Sequence, residues 1–560
     1  FIPCSYFTSF TRALHLKEKR KKGGLTRFQF FIIVFTGSFA YYAIPGFLFP
    51  AVSSISVLCL VYKNSIIMQQ IGSGLNGMGV GSFGLDWSTV AGFLGSPLAT
   101  PAMAIINIMI SFALIVYVLL PLAYWTNIYN AKRFPLISAN VYDAFGQPYN
   151  TTRIINSNSF TLNIQQEEDY SKLNMTAAFT LVYCMSFATL TATITHVALH
   201  NGKDIWKMWK NSKEYAKEKI EDVHTRLMKR NYEPVPQWWF IVLLVVIIGL
   251  SLFTCLGFDR QLQLPWWGVL LAASMAMLFT LPIGVIVATT NQAPGINVLS
   301  EYIVGLLLPG KPLANVTFKM YGTISLGQAL TLLSDLNLGH YMKIPPKAMF
   351  FTQFTGSVIA ATVSYGTAWL LLDTVEDICD PSKLPPGSPW TCPGSDVFYN
   401  ASIIWGLVGP MRMFGKFGHY SALNFFFLIG LLLPIPFWLL AKTYPQNKFF
   451  RSIHIPLLIS GGAAVPPVHS VNFNMWGAVG IFFNYYIYRR YKNWWARHTY
   501  VMSAALDAGV AFMGILIYFV LQSHNIFGIG WWGGVAQDHC PLASCPTAPG
   551  VVIENCPIIQ

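Results

Sequence analysis

The sequence predicts an all-α protein, a polytopic transmembrane helical bundle in which some helices are broken or re-entrant. Three observations carry that prediction. Of 560 residues, 36 are Lys or Arg and 23 are Asp or Glu. Charge is therefore 11% of the chain, against roughly 25% in soluble domains. Apolar residues make up 54% and aromatic rings 15%, more than a single soluble globule can hide. Apolar runs recur along the whole length, several of them reaching the roughly 17–25 residues that cross hydrocarbon. A soluble globule, a disordered chain and a scaffold held by disulfides alone are excluded. Residue 1 is Phe1 and not Met, from which a further N-terminal part is expected upstream. Residues 1–560 are read as one integral membrane domain.

In chain order, the first span, 28–49, follows a basic stretch at 11–27. Residues 51–100 are too rich in glycine for one helix, yet must bring the chain back before the span 102–124. Further spans are read at 177–199, 237–257, 266–289, 297–309, 321–338, 348–372, 422–441, 453–468, 473–488 and 500–521. The total is about thirteen crossings, of which 297–309 and 453–468 are short enough to be re-entrant.

Charge placement orients these spans. Residues 11–27, 201–236, 442–451 and 489–498, with Lys343 and Lys347, hold 25 of the 36 basic residues. Residues 125–176 balance four basic against four acidic groups, 373–400 carry one against five, and 523–560 none against two. Lys and Arg are retained in the cytoplasm, so the first set is expected inside and the second outside. The net charge of +13 thus belongs to short loops between spans, and no nucleic-acid partner is expected. Glycosylation tripeptides at Asn150, Asn174 and Asn400 lie in the expected outer loops, and Asn315 joins them if 297–309 crosses.

Loop 201–236 is read as a cytoplasmic amphipathic helix on the inner leaflet. Ile205, Met208, Ala216, Ile220, Val223 and Leu227 recur there at near-helical spacing among lysines. The extracellular loop 373–400 contains Cys379 and Cys392, for which one bridge is the simplest pairing. The C-terminal tail 523–560 holds Cys540, Cys545 and Cys556, an odd number that leaves their pairing open. Cys59, Cys184 and Cys255 sit in apolar runs and read as packing residues.

Catalytic signatures are scarce. There is no Walker Gly-Lys-Ser/Thr, His-Glu-x-x-His or Gly-x-Ser-x-Gly element. Gly72, Gly74 and Gly77 match G-x-G-x-x-G, but without the βαβ context of a dinucleotide site. His196 and His200, spaced i and i+4, lack a third metal ligand and suit an interface role. The chain is not expected to be an enzyme, nor to hold a metal or an organic cofactor.

Glycine-broken helices near the bilayer midplane do have a chemistry. Their freed backbone groups line solute paths in carriers. Two regions have that character. Residues 69–101 carry Gln69, Gln70, Asn76 and Asp86 among glycines, and 291–301 carry Asn291, Gln292, Asn297 and Glu301. The amides are candidate substrate contacts, as is Arg412, whose fork matches a carboxylate and could equally pair with an internal acid. A carboxylate inside the membrane costs roughly 2.5–3.5 kcal/mol to insert, so Asp86, Glu301, Asp335 and Asp507 are candidate proton carriers. Each of them can also serve as a hydrogen-bonded structural group.

Several stretches resemble one family. The segment 339–347, GHYMKIPPK, is similar to the K-I-P-P-R element of the oligopeptide transporter (OPT) family, matching it at Lys343, Ile344, Pro345 and Pro346, with Lys347 in place of the usual Arg. Residues 69–100, 405–414 (WGLVGPMRMF) and 476–512 resemble the same family. The tail 540–550, CPLASCPTAPG, is similar to its plant-type peptide-transporter branch. The resemblance implies a proton-coupled symporter of the plasma membrane that imports small oligopeptides or glutathione-like peptides, with protons as the coupling ion. It also admits metal chelates of the iron- or copper-nicotianamine type as solutes. Family members carry further N-terminal helices, so a truncated, non-functional carrier is a third reading. The K-I-P-P element falls in an expected inner loop, which implies gating or anchoring and not substrate contact.

Overall fold

A computed structural model describes residues 24–559, apart from 157–158, 211–222, 296, 381–382, 385–387, 389 and 417. The basic residues expected at 11–22, and the centre of the 201–236 helix, lie outside the described residues. Either side of that gap, helices Ala177–Lys210 and Val223–Asn231 occupy the flanks of the loop.

Eight helices among the described residues are long and apolar enough to cross a bilayer. The first, Arg27–Leu48, opens with a reciprocal capping box between Thr26 and Gln29, which satisfies two otherwise orphaned donors. It packs along Lys492–His524. Ser38 Oγ donates to Leu506 O at 3.0 Å, and a Cβ on Gly509 would sit 2.6 Å from that of Ser38. Small residues at such crossings let two backbones approach within van der Waals contact where lipid supplies no hydrophobic drive. The same device joins Ala177–Lys210 to Ser421–Thr443. Gly430 lies against Ala188 O, and Thr191 Oγ1 donates to Phe427 O at 2.8 Å.

Other segments cross in pieces. Residues 49–101 descend as short helices and turns with almost no ladder of their own. Their backbone carbonyls are met instead by the helix that begins at Ser470. Ser470 Oγ donates to Gly77 O at 2.7 Å, Asn472 to Thr89 O at 2.7 Å and Asn474 to Gly79 O at 2.8 Å. Further down, Trp476 Nε1 reaches Gly95 O at 3.0 Å, and Asn484 reaches Pro97 O and Thr100 O, each at 2.7 Å. Non-helical backbone at membrane depth persists only where protein satisfies it in this way. Residues 291–307 and 455–469 likewise cross through breaks. Val397–Val408 is re-entrant: the chain turns back at Gly409, with φ +86°, and Arg412 returns to pair with Glu167 and Glu168.

One face gathers the disulfides. Cys379 is bridged to Cys392 and Cys545 to Cys556, while Cys59 is bridged to Cys540 across 481 residues. Cys59 is therefore a strap and not the packing residue that its apolar neighbours imply, and its bond accounts for the odd cysteine of the tail. Cys184 and Cys255 stay as buried thiols. The tail lies on loop 126–176, where Thr547 N and Ala548 N both donate to Lys132 O at 2.9 Å. That loop carries two antiparallel ribbons, Val141–Tyr142 with Asn174–Met175 and Ile155–Asn156 with Thr161–Leu162.

Of the glycosylation tripeptides, Asn150 is exposed. Asn174 and Asn400 are buried, their amides donating to Lys172 O and Asn140 Oδ1. Asn315 is 2% exposed, deep beside Glu301. Expression in a glycosylating cell is expected to give a glycosidase-sensitive shift that Asn150→Gln alone removes. A shift persisting in Asn150→Gln and lost in Asn174→Gln would contradict this burial pattern.

The opposite face is basic. Lys347 pairs with Glu233 at 2.6 Å and holds that exposed carboxyl below the usual range. Arg497 donates to Leu25 O at 3.1 Å. The K-I-P-P element is a corner on this face. Lys343 ends one helix in the left-handed region at φ +62°, Ile344 N closes back on Gly339 O at 2.9 Å, and Pro346 starts the helix Pro346–Thr374. Proline at a first helical turn forfeits no intrahelical bond.

Candidate functional site

Two aromatic cores flank the centre of the bundle. In one, Trp405 stacks on Phe414 with centroids 4.8 Å apart, and in the other Phe112 stacks on Phe473 at 4.6 Å. A cavity of about 770 Å³ lies between them, touching Tyr183 of the first core and Ile108 of the second. This size falls within the range of small-molecule sites.

The cavity exists because helices stop around it. Trp266–Thr290 ends where Asn291 turns left-handed at φ +57°, and the chain resumes as Asn297–Leu307. Gly305 presses that short helix against Trp405 O of the re-entrant element, where a Cβ would come within 2.4 Å. Asn315 Nδ2 donates to Glu301 O at 3.0 Å, and Ser300 Oγ meets Thr323 Oγ1 at 2.8 Å. These bonds fix the next helix, which starts at Pro312, alongside the short one.

That pairing brings Glu301 and Lys319 together inside the cavity wall. Lys319 Nζ is 2.6 Å from Glu301 Oε1, and their side chains are only 10% and 4% exposed. The same ammonium lies 4.3 Å over the Phe398 ring, an attraction that strengthens as water is excluded. Gln292, Asn297 and Thr189 add polar groups to the wall, and Thr189 Oγ1 is buried with no hydrogen-bond partner among the described residues. The arrangement offers one anionic and one cationic group side by side, with amides and a hydroxyl around them.

Of the residues that sequence reasoning singled out, Gln292, Asn297 and Glu301 line this cavity. Asn291 does not line it and acts as the helix stop. The 69–101 side chains are placed elsewhere. Gln69 donates to Lys63 O at 2.7 Å and accepts from Leu542 N at 2.7 Å. Gln70 donates to Cys545 O at 2.9 Å, so both buried amides hold the tail. Asn76 is exposed in a cleft that the tail borders. Arg412 sits at the disulfide face, paired as described, where burial raises the Glu167 carboxyl and the guanidinium opposes the rise. Asp335 accepts from Gln353 at 3.2 Å, and Asp507 accepts from Trp87 Nε1 at 2.6 Å.

Asp86 caps the helix Trp87–Ala91, accepting from Ser88 N at 3.1 Å, from Ser88 Oγ and from Ser53 Oγ at 3.2 Å. Asp86→Asn keeps an acceptor for the cap and is expected to leave the pH profile of uptake unchanged. Asp86→Ala is expected to cost about 1 kcal/mol in thermal stability. A profile flattened by Asp86→Asn would return this carboxyl to the proton path.

Lys319, Phe398, Tyr183 and Thr189 were not legible as site residues from the sequence. The available signal was Lys319 itself, the single charged side chain between Lys311 and Asp335. A larger groove of about 820 Å³ between Gln237–Leu256, Trp266–Thr290 and the helix Ser325–Met342 is lined by apolar and hydroxyl side chains and one amide, Asn337, without a charge.

A multi-pass helical membrane protein with charged groups buried in a cavity between broken helices has the architecture of a solute carrier. Residues 5–521 match the family described as OPT oligopeptide transporter protein. The chain is 57% identical over 550 residues to Oligopeptide transporter 1 of Arabidopsis thaliana, and 56% identical over 550 to Oligopeptide transporter 5 of the same plant. Each alignment covers 98% of this chain and 73% of the relative. Oligopeptide transporter 2 of that plant is 49% identical over 551 residues, covering 98% of this chain and 74% of its own. The chain belongs to the OPT oligopeptide transporter family.

Proposed function

We propose that this chain imports small oligopeptides, glutathione-like peptides included, across the plasma membrane by symport with protons, its basic face being cytosolic. The observation that carries the reading is the buried Glu301–Lys319 pair in the cavity wall. A peptide with free termini presents an ammonium and a carboxylate. Glu301 receives the first and Lys319 the second, each exchanging one charged partner for another, so neither is left unpaired in a poorly solvated site. The names of the relatives support peptides as the solute class.

Protonation of Glu301 gives the coupling. An external proton on Glu301 opens the internal pair and frees Lys319 for a solute carboxylate. As that proton passes on to the cytosolic side the ionised Glu301 holds the solute ammonium, and re-forming of the internal pair then expels the solute. Protein groups suffice for this exchange, and the proton is its only co-substrate.

The test is uptake of a labelled tetrapeptide by cells expressing the chain, with and without an inward proton gradient. Uptake that rises with the gradient supports symport, and uptake indifferent to its collapse rejects it. Competition by unlabelled peptide supports the solute class. Competition by metal–nicotianamine chelates alone would replace peptides with chelates.

A further inference from the structure

A second charged hollow lies on the basic face, away from the central cavity. It is a crevice of about 340 Å³ between the end of Ala177–Lys210, the end of Ser421–Thr443 and the segment leading into Ile455–Ala464. One side of it is apolar, with Phe437 and Trp438 as its largest walls, and the other carries His196, His200, Lys442 and Arg451. None of the described residues lining it is acidic.

Two features point to a ligand. First, Lys442 and Arg451 bring cations to a hollow that supplies no counter-charge. Lys442 Nζ lies 5.1 Å over the Trp438 ring, with its stem along the apolar wall, as snorkelling cations do at a membrane interface. Second, a residue at the head of the crevice holds a polar atom without a partner among the described residues. The His196 ring lies 4.1 Å from that of His200, which lines the crevice with it, and 4.3 Å from that of His454, which lies behind the wall; Nδ1 of His196 is buried without a hydrogen-bond partner among the described residues. The apolar wall is continuous with the bilayer-facing side of its helix, where Leu432 and Leu439 are about half exposed.

We propose that this crevice seats an anionic phospholipid. Lys442 and Arg451 meet its phosphate, and its acyl chains lie along Phe437, Trp438 and the exposed leucines. Basic pockets between membrane helices are suited to such headgroups, and the apolar wall favours a lipid over free phosphate. The site is independent of the peptide reading, since it shares no residue with the central cavity.

The experiment is native mass spectrometry of the purified chain after exposure to phosphatidic acid or to phosphatidylcholine of the same acyl chains. Phosphatidic acid is expected to be retained in preference. Retention is expected to fall about tenfold or more in Lys442→Gln/Arg451→Gln. It should survive in the charge-conserving Lys442→Arg/Arg451→Lys and in Arg489→Gln/Arg490→Gln, which removes charge elsewhere on the same face. Equal retention of phosphatidylcholine would overturn the proposal, as would undiminished binding by the glutamine pair or loss in the charge-conserving variant. Competition by glycerol 3-phosphate as strong as that by the intact lipid would overturn it in favour of a soluble phosphate.

Discussion

Glu301→Gln is expected to give uptake that no longer changes between acid and neutral medium, while the protein still reaches the membrane. Glutamine keeps an oxygen 2.6 Å from Lys319 Nζ in the position of Glu301 Oε1, so the wall of the cavity keeps its shape. What it loses is the ability to take up and release a proton, and with it the negative partner for a solute ammonium. Truncating one half of a buried charged pair costs roughly 2–5 kcal/mol. Apparent peptide affinity should therefore fall by about 30-fold or more, alongside the flat pH profile. The measurement is initial uptake rate against external pH at several peptide concentrations. Proton-dependent uptake with unchanged affinity in Glu301→Gln would remove this carboxylate from the mechanism.

Lys319→Met is expected to fail differently. Removing the ammonium leaves the Glu301 carboxyl without its cation in a site with 4% side-chain exposure, and breaking one half of a buried pair destabilises by about 3–5 kcal/mol. The single variant should show a lower melting temperature and a lower folded yield by size-exclusion chromatography. Adding Glu301→Gln removes the stranded carboxyl, so the double variant should regain most of the stability while peptide uptake stays absent. That split separates a binding role from a merely structural one. A double variant that transports would show that neither group handles the solute. A double variant no more stable than Lys319→Met would show that the two charges do not depend on each other.

The sequence made the scaffold readable and part of the cavity wall. Apolar length gave eight of the thirteen expected spans, because a span must present enough hydrocarbon whatever it packs against. The segments 51–100, 297–309, 321–338, 453–468 and 473–488 are not among the described helices long and apolar enough to cross. Positive clusters gathered on one face and cysteines on the other for reasons equally independent of tertiary contact. The break at 291–301 was visible in Asn291, Gln292, Pro294 and Gly295, residues that end helices through their own backbone preferences. The 69–101 segment shows the limit. Its amides look identical in sequence to those of a solute path, yet Gln69 and Gln70 hold the tail. Their partners lie hundreds of residues away, beyond any local pattern. The bond from Cys59 to Cys540 was hidden for the same reason. Lys319 was open to inspection, but a lone cation acquires meaning only when a second helix sets it opposite Glu301.

The row of donors on the helix that begins at Ser470 has a mechanical consequence. Between Gly77 and Thr100 the broken segment is pinned every few residues by side chains of a single neighbour, and sliding it would sever several of those bonds in one stroke. This side of the protein is therefore expected to move as one unit, if it moves at all. Any rearrangement that opens the cavity is expected on the opposite side, at the short helix between the left-handed stop at Asn291 and the proline start at Pro312.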